Sequence, residues 1–220
     1  MGGARPKFSL RLDDGAALLV KFTPPLDTPT GRRWADLLRV EALAAKVLRE
    51  AGVPAVEAEY VEIDGRGYLE IERFDRIAGG GRAGHVTLYN LGVARVGEVN
   101  NPPAVVDALV RDRVLSAHDA TLFSRIDRFS RAIANNDAHQ GNYGLSIDDD
   151  GNATLSPAYD VVPMAFAPRH DELPDRWVES VGEVDAETRT LVERLAREME
   201  RDGGFERAFV EVWGRVTSPR

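Results

Sequence analysis

The chain has 220 residues, a formal charge of −8 from 28 Lys and Arg against 36 Asp and Glu, and no cysteine. Without cysteine there are no disulfides, thiolate nucleophiles, zinc ribbons or iron–sulfur clusters. The negative charge speaks against bulk electrostatic binding of nucleic acid, so no direct nucleic-acid partner is expected. No apolar run approaches the ~20 residues of a membrane span. The first ten residues, MGGARPKFSL, lack the apolar region of a signal peptide. The expected location is therefore the cytoplasm, with no membrane partner.

The first third reads as strands around one helix. Phe8, Leu10 and Leu12 alternate with Ser9 and Arg11, and Asp13-Asp14-Gly15 signals a hairpin turn. In the second strand Leu18, Val20 and Phe22 alternate, with Leu19 and Lys21 on the other face. A loop with Pro24, Pro25, Pro29 and Gly31 comes next. Trp34, Leu37, Leu38, Ala44, Ala45 and Leu48 fall at helical spacing and predict a helix over 34–51, with Gly52 to cap it and Pro54 to stop it. A second hairpin is expected from 55–63 and 68–74, turned by Asp64-Gly65-Arg66-Gly67. The glycine-dense run 78–84 is the best boundary, a hinge or surface loop. The rest of the chain is expected to be mostly helical: after Pro103, through Ile126, Phe129 and Ile133, over 185–199 and over 205–216. A small hairpin is expected within 142–155, turned by Asp148-Asp149-Asp150-Gly151-Asn152.

Four features carry chemistry. Lys21 interrupts an apolar strand; it is either a solvent-facing lysine or a buried one with a partner. Glu41 shares the apolar face of the helix, seven residues after Trp34 and four after Leu37. A buried carboxylate there needs a cation, and Lys21 is the obvious one; a rim position in solvent is the plainer alternative. Residues 135–142, Asn-Asn-Asp-Ala-His-Gln-Gly-Asn, contain D-x-x-x-x-N from Asp137 to Asn142. That is the spacing of a kinase catalytic loop, in which the Asp accepts the acceptor's hydroxyl proton and the Asn holds Mg²⁺. Polar clusters of this kind also form simple turns. Asp160 comes after the small hairpin, where a kinase needs its second Mg²⁺ ligand. Taken together, in the order Lys, Glu, Asp, Asn, Asp, these residues predict an α+β, two-lobed protein-kinase-like fold. A small lobe of antiparallel sheet plus helix (1–76) would precede a larger, mostly helical lobe (77–220).

The chain resembles the HipA-like serine/threonine kinases, the toxin component of bacterial toxin–antitoxin pairs. The resemblance rests on Gly2-Gly3-Ala4-Arg5-Pro6-Lys7, Val20-Lys21-Phe22, Glu41 through Gly52-Val53, Glu72-Arg73-Phe74-Asp75-Arg76, Asn136-Asp137-Ala138-His139 with Asn142, and Ser156-Pro157-Ala158-Tyr159-Asp160. It implies a glycine-rich loop at Gly2 and Gly3, Lys21 on the α/β-phosphates of ATP with Glu41 as its helix partner, and Glu72 and Phe74 as the hinge whose backbone meets adenine. Asp137 would be the catalytic base, Asn142 and Asp160 the Mg²⁺ ligands, and His139 a residue lining the nucleotide site. The implied activity is ATP- and Mg²⁺-dependent phosphorylation of Ser or Thr on a cytoplasmic protein; the family's substrates include aminoacyl-tRNA synthetases. The implied partner is a small helix-turn-helix antitoxin.

The family's N-terminal subdomain and the strand before its glycine-rich loop have no counterpart ahead of Met1-Gly2-Gly3. The expectation is a fragment, a complete short form or one piece of a split kinase, whose partner would carry the N-terminal subdomain. Such a chain should bind ATP weakly and turn over slowly by itself. Two rivals stand beside this reading. One is a small-molecule phosphotransferase, against which the Ser-Pro-Ala-Tyr-Asp string speaks. The other is a kinase fold kept as a partner-binding module. His85, His118 and His170 lack metal-ligand spacing and read as surface or core residues. Trp177 and Trp213 read as core anchors, and Arg111, Arg113, Arg125, Arg128 and Arg131 as a basic helix face.

Overall fold

Strands β1 (Lys7–Arg11) and β2 (Ala17–Phe22) are joined by the Asp13-Asp14-Gly15 turn, where Gly15 takes a φ of +91°. The computed structural model describes residues 6–77, 80–97, 101–169, 172–175, 178–179 and 181–218. After β2 come α1 (Pro29–Glu50), β3 (Ala58–Ile63), β4 (Arg66–Glu72) and β5 (Gly84–Thr87). The short α2 (Leu88–Leu91) runs into a π-helical turn at Gly92–Val96, succeeded by α3 (Pro102–Arg111) and α4 (Ala117–Ala132). A hairpin of β6 (Gly144–Ile147) and β7 (Ala153–Leu155) precedes α5 (Ala186–Asp202) and α6 (Arg207–Thr217). Among the described residues no helix is long and apolar enough to cross a membrane.

The first sheet is antiparallel, in the order β1-β2-β4-β3. Its register sets Lys21 opposite Leu69. Leu69 is fully buried and Ile71 nearly so, because α1 packs across this face. Lys21 therefore points into the covered side of the sheet and is 7% exposed. The second hairpin turns on two residues rather than four: Asp64 and Gly65 have φ of 50° and 72°, the left-handed pair that suits the twist of the flanking strands.

Helix α1 begins five residues before the predicted position 34, inside the expected proline loop. Thr28 Oγ1 accepts the Gly31 N–H at 3.0 Å, and Pro29 opens the first turn, where it needs no N–H. A side chain at Gly31 would run into the Pro25 carbonyl, so the close approach needs glycine. Gly52, at φ +74°, ends the helix. The buried stripe of α1 is wide, from Trp34 to Leu48 and including Glu41, because the sheet covers one side of the helix and α5 the other.

The C-terminal part is helical, but Gly84–Thr87 is a strand, paired antiparallel with β6 in a sheet of order β5-β6-β7. Four residues with two of them Gly and His carry no strand pattern; pairing with β6 decides their conformation. Of the expected hinge, Ala78 and Gly79 lie outside the described residues. Trp213 is buried among the core residues, as expected, whereas Trp177 and His170 lie outside the described residues. Arg125, Arg128 and Arg131 are ion-paired with Glu187, Asp185 and Asp127, so this part of the basic face is neutralised within the chain.

Candidate active site

A parallel bridge between Ala55 and Ala158 assembles the site. The Ala158 N–H donates to the Pro54 carbonyl at 2.8 Å, and the Val56 N–H to the Ala158 carbonyl at 3.0 Å. The stretch after α1 thereby draws in the segment that follows β7 and leads to Asp160. There the Lys21 ammonium donates to Glu41 Oε1 at 2.6 Å and also to Asp160 Oδ1. Asp160 is held at φ +55°, a strain on the order of 1 kcal/mol for a residue with a side chain. The Lys21 contact and the Asn135 amide, which donates to the Asp160 carbonyl at 3.2 Å, hold it there.

One ammonium faces two carboxylates. Burial works against the Lys21 charge, but Glu41 and Asp160 outweigh it and keep its pKa above the ordinary lysine value. Burial raises the Glu41 carboxyl despite Lys21. Burial also opposes ionisation of Asp160, but there the Lys21 charge prevails and holds the carboxyl below its usual range. The two carboxyls also act on each other: Asp160 adds to the rise at Glu41, while Lys7 and a hydrogen bond with Glu41 help to hold Asp160 down. Asp160 is the carboxylate available as an anion.

The loop after α4 carries Asp137, His139 and Asn142. Asn135, 4% exposed, is its hub: the side-chain amide donates to Ser130 Oγ at 2.9 Å, and Oδ1 accepts the Asp137 N–H at 3.1 Å. Asn142 Nδ2 donates to the Asp137 carbonyl at 3.0 Å. The Asp137 carboxylate is exposed and accepts no hydrogen bond among the described residues. His139 is exposed, and its Nδ1 accepts the Gly141 N–H at 3.0 Å. Below the loop, Asp127 takes the Tyr143 hydroxyl at 3.0 Å and the Arg131 guanidinium at 3.0 and 3.1 Å, which ties α4 to β6.

Phe74 lies against Tyr159, ring centroids 5.9 Å apart, and edge-on to His85 at 5.3 Å. Tyr159 in turn donates to the Gly141 carbonyl at 3.0 Å. This cluster links the end of β4 to the residue before Asp160. The Glu72 N–H is spent on the Glu57 carbonyl at 2.9 Å, and the Glu72 side chain is exposed. Arg73 and Arg76 both hold Asp75, whose carboxyl the Arg73 bond keeps below its usual range. Gly2 and Gly3 lie outside the described residues. Pattern reading missed Asn135 as a hub and His85 as a member of the aromatic cluster. His85 Nδ1 lies 3.0 Å from Ser156 Oγ, and burial holds the ring below the ordinary histidine pKa.

The donor set suits a hard cation shared with phosphate. Asn142 spends its NH₂ on Asp137, which leaves Oδ1 free to coordinate, and Asp160 is a half-exposed carboxylate kept ionised. Among the described residues no three His, Asp or Glu side chains converge as an all-protein metal cage.

The model of the HipA-like C-terminal domain family matches residues 1–218. Toxin YjjJ of Escherichia coli (strain K12) is 33% identical over 171 residues, which are 76% of this chain and 38% of that protein. The chain thus spans well under half the length of this curated relative. Among solved structures, a Helicobacter pylori proinflammatory kinase, CtkA, superposes with a TM-score of 0.63 at 14% identity, over 99% of this chain and 88% of that one. The Shewanella oneidensis MR-1 HipA, solved in complex with HipB and operator DNA, gives a TM-score of 0.50 at 17% identity, over 100% of this chain and 59% of that one. Those two likenesses establish a two-lobed, protein-kinase-like α+β fold, and with the match along almost its whole length the chain belongs to the HipA-like C-terminal domain family.

Proposed function

We propose that this chain transfers the γ-phosphoryl group of Mg·ATP to a Ser or Thr hydroxyl of a protein. The observation that carries the reading is the meeting of Lys21, Glu41 and Asp160 beside a loop whose Asp137 carboxylate is exposed and whose Asn142 amide is oriented by Asp137. In this reading Lys21, fixed by Glu41, holds the α/β-phosphates, and adenine lies beside Phe74. Asn142 and Asp160 would hold Mg²⁺, which neutralises charge on the phosphates when bound. The acceptor oxygen attacks the γ-phosphorus, the bond from that phosphorus to the β–γ bridging oxygen breaks, ADP departs, and Asp137 takes the hydroxyl proton. The lobe boundary falls at residues 76 and 77, and a small antitoxin-like protein is the partner expected from the family.

Radiolabelled ATP with Mg²⁺ and a panel of dephosphorylated proteins tests the proposal. Phosphoserine or phosphothreonine on a protein, absent with Asp137→Asn, is the expected result. Label on small hydroxylated compounds alone would support the small-molecule alternative, and no label anywhere would overturn the reading.

A further inference from the structure

Helix α1 carries a second buried charge eight residues before Glu41. Arg33 is 1% exposed. Its guanidinium forks onto Asp175, Nη2 donating to Oδ2 at 2.9 Å and Nη1 to Oδ1, and Nη1 also donates to the Phe166 carbonyl at 3.3 Å. The guanidinium carbon lies 5.0 Å from the centre of the Phe209 ring on α6, which meets Phe166 edge-on at 5.6 Å. One residue earlier, the Ala165 N–H donates to the Ala134 carbonyl at 3.1 Å, three residues before Asp137.

The stretch after the Lys21-bound Asp160 is therefore fastened to α1 twice. At its start, Lys21 joins Asp160 to Glu41; further on, Arg33 holds Phe166 and Asp175. A cavity of about 340 Å³ opens beside the Asp137 loop, lined by Asn135 and Asn136 of that loop and by Ala165, Arg169 and Pro174. Arg33 holds Phe166 and Asp175, the sequence neighbours of the lining residues Ala165 and Pro174. Lysine at position 33 would keep the charge but could not make the planar fork and reach Phe166 together.

We propose that Arg33 is a positioning residue for phosphoryl transfer: from α1 it sets the wall formed by Phe166 and Asp175 and, through Ala165, the loop of Asp137. The proposal rests on the phosphotransfer reading above. It separates acceptor geometry from nucleotide binding. In Asp175→Asn and Arg33→Lys, kcat should fall and the acceptor KM rise, together at least about 10-fold in kcat/KM, while the ATP KM stays within about 3-fold. Arg33→Met should lose more than Arg33→Lys. A role confined to stability would lower the melting temperature without splitting the two KM values.

Steady-state kinetics with dephosphorylated casein, with ATP and casein varied separately, provide the first test. Hydrogen exchange on the full chain reads the same coupling without turnover: in Asp175→Asn, the amides of Ala134 and Ala165 should exchange at least about 10-fold faster, while the last turns of α1 keep their protection. Asp175 is partly exposed, so its amide variant decides the matter if the Arg33 variants do not fold. Unchanged acceptor kinetics in an active, folded Asp175→Asn chain, or unchanged exchange at Ala134 and Ala165, would overturn the positioning role. A wild-type chain that phosphorylates neither casein nor itself counts against the phosphotransfer reading, and the exchange measurement then decides whether Arg33 holds the wall.

Discussion

Lys21 and Asp160 stand 139 positions apart in the chain, yet the Lys21 ammonium donates to Asp160 Oδ1 while it holds Glu41 at 2.6 Å. Three segments meet at one ammonium: the middle of a strand, the middle of the helix laid across it, and the end of the Ser-Pro-Ala-Tyr-Asp stretch. Burial of Lys21 and Glu41 beside the half-exposed Asp160 makes their charges interdependent, since removing one partner strands another.

That interdependence sets the first prediction. Lys21→Met and Glu41→Gln should each reduce phosphoryl transfer by about 10²-fold, and the double variant should be little worse than the poorer single one. A double-mutant cycle on kcat/KM for ATP measures this. Additive losses would mean that Glu41 does not work through Lys21.

Asp137 touches neither Lys21 nor Glu41 in the hydrogen-bond network. Asp137→Asn should lower kcat by about 10²–10⁴-fold and leave Mg·ATP affinity within about 2-fold, because a base acts on the acceptor hydroxyl. Single-turnover transfer and calorimetric titration of Mg·ATP check the two halves. Transfer at the wild-type rate would remove Asp137 from the chemistry.

Asn142→Ala and Asp160→Ala should each lose the Mg²⁺ dependence of ATP binding. The expected measurement is a titration of ATP with and without Mg²⁺, in which wild type gains at least about 10-fold in affinity from the metal and the variants gain little. Variants that respond to Mg²⁺ as wild type does would place the metal elsewhere. Asp160→Ala should also lower the apparent pKa of Lys21, one of whose two carboxylate partners it removes.

Asp36 of α1 gives the fourth prediction. It is 2% exposed, its Oδ1 accepts the Glu206 N–H at 3.1 Å, and its Oδ2 has no partner among the described residues. The nearby arginines are engaged elsewhere, Arg33 with Asp175 and Arg39 with Glu62 and Asp202. Burial pushes the Asp36 carboxyl up to about 7; the Glu206 N–H bond opposes this, as do Arg33 and Arg39, while the Glu206 carboxylate adds to it. The folded state thus binds a proton that the unfolded chain releases near pH 4, the ordinary range for Asp. The Asp36 contribution to stability is present at acidic pH and is lost as pH rises from that range through about 7. Asp36→Asn should remove this slope, so its melting temperature exceeds that of wild type at pH 8 by more than it does at pH 5. Calorimetric scans of both proteins across that range check it, and parallel curves would show that Asp36 does not titrate there.

Local signals in the sequence determined a good deal of this protein. Asp13-Asp14-Gly15 dictates a turn because glycine alone takes its φ of +91° without strain. The apolar spacing from Trp34 to Leu48 dictates a helix, and the five-residue step from Asp137 to Asn142 dictates a short loop that Asn142 can close onto the Asp137 carbonyl. The start of α1 was readable in principle from Thr28-Pro29, a capping residue followed by a first-turn proline, but the neighbouring prolines mask it. Other features had no local signal. Both faces of β2 carry leucine or valine, so period-two alternation is silent about which face α1 covers, and only that packing decides that Lys21 is buried. Strand β5 exists because β6 offers it a partner. Arg33, just before the predicted helix, and Asp36, within it, carry no sequence signal of burial; they become a buried ion pair and a buried lone carboxylate because segments 142 and 170 positions away in the chain close over α1. Local conformation depends on each residue and its near neighbours. Burial of charge depends on which distant surface arrives, and only the tertiary structure decides that.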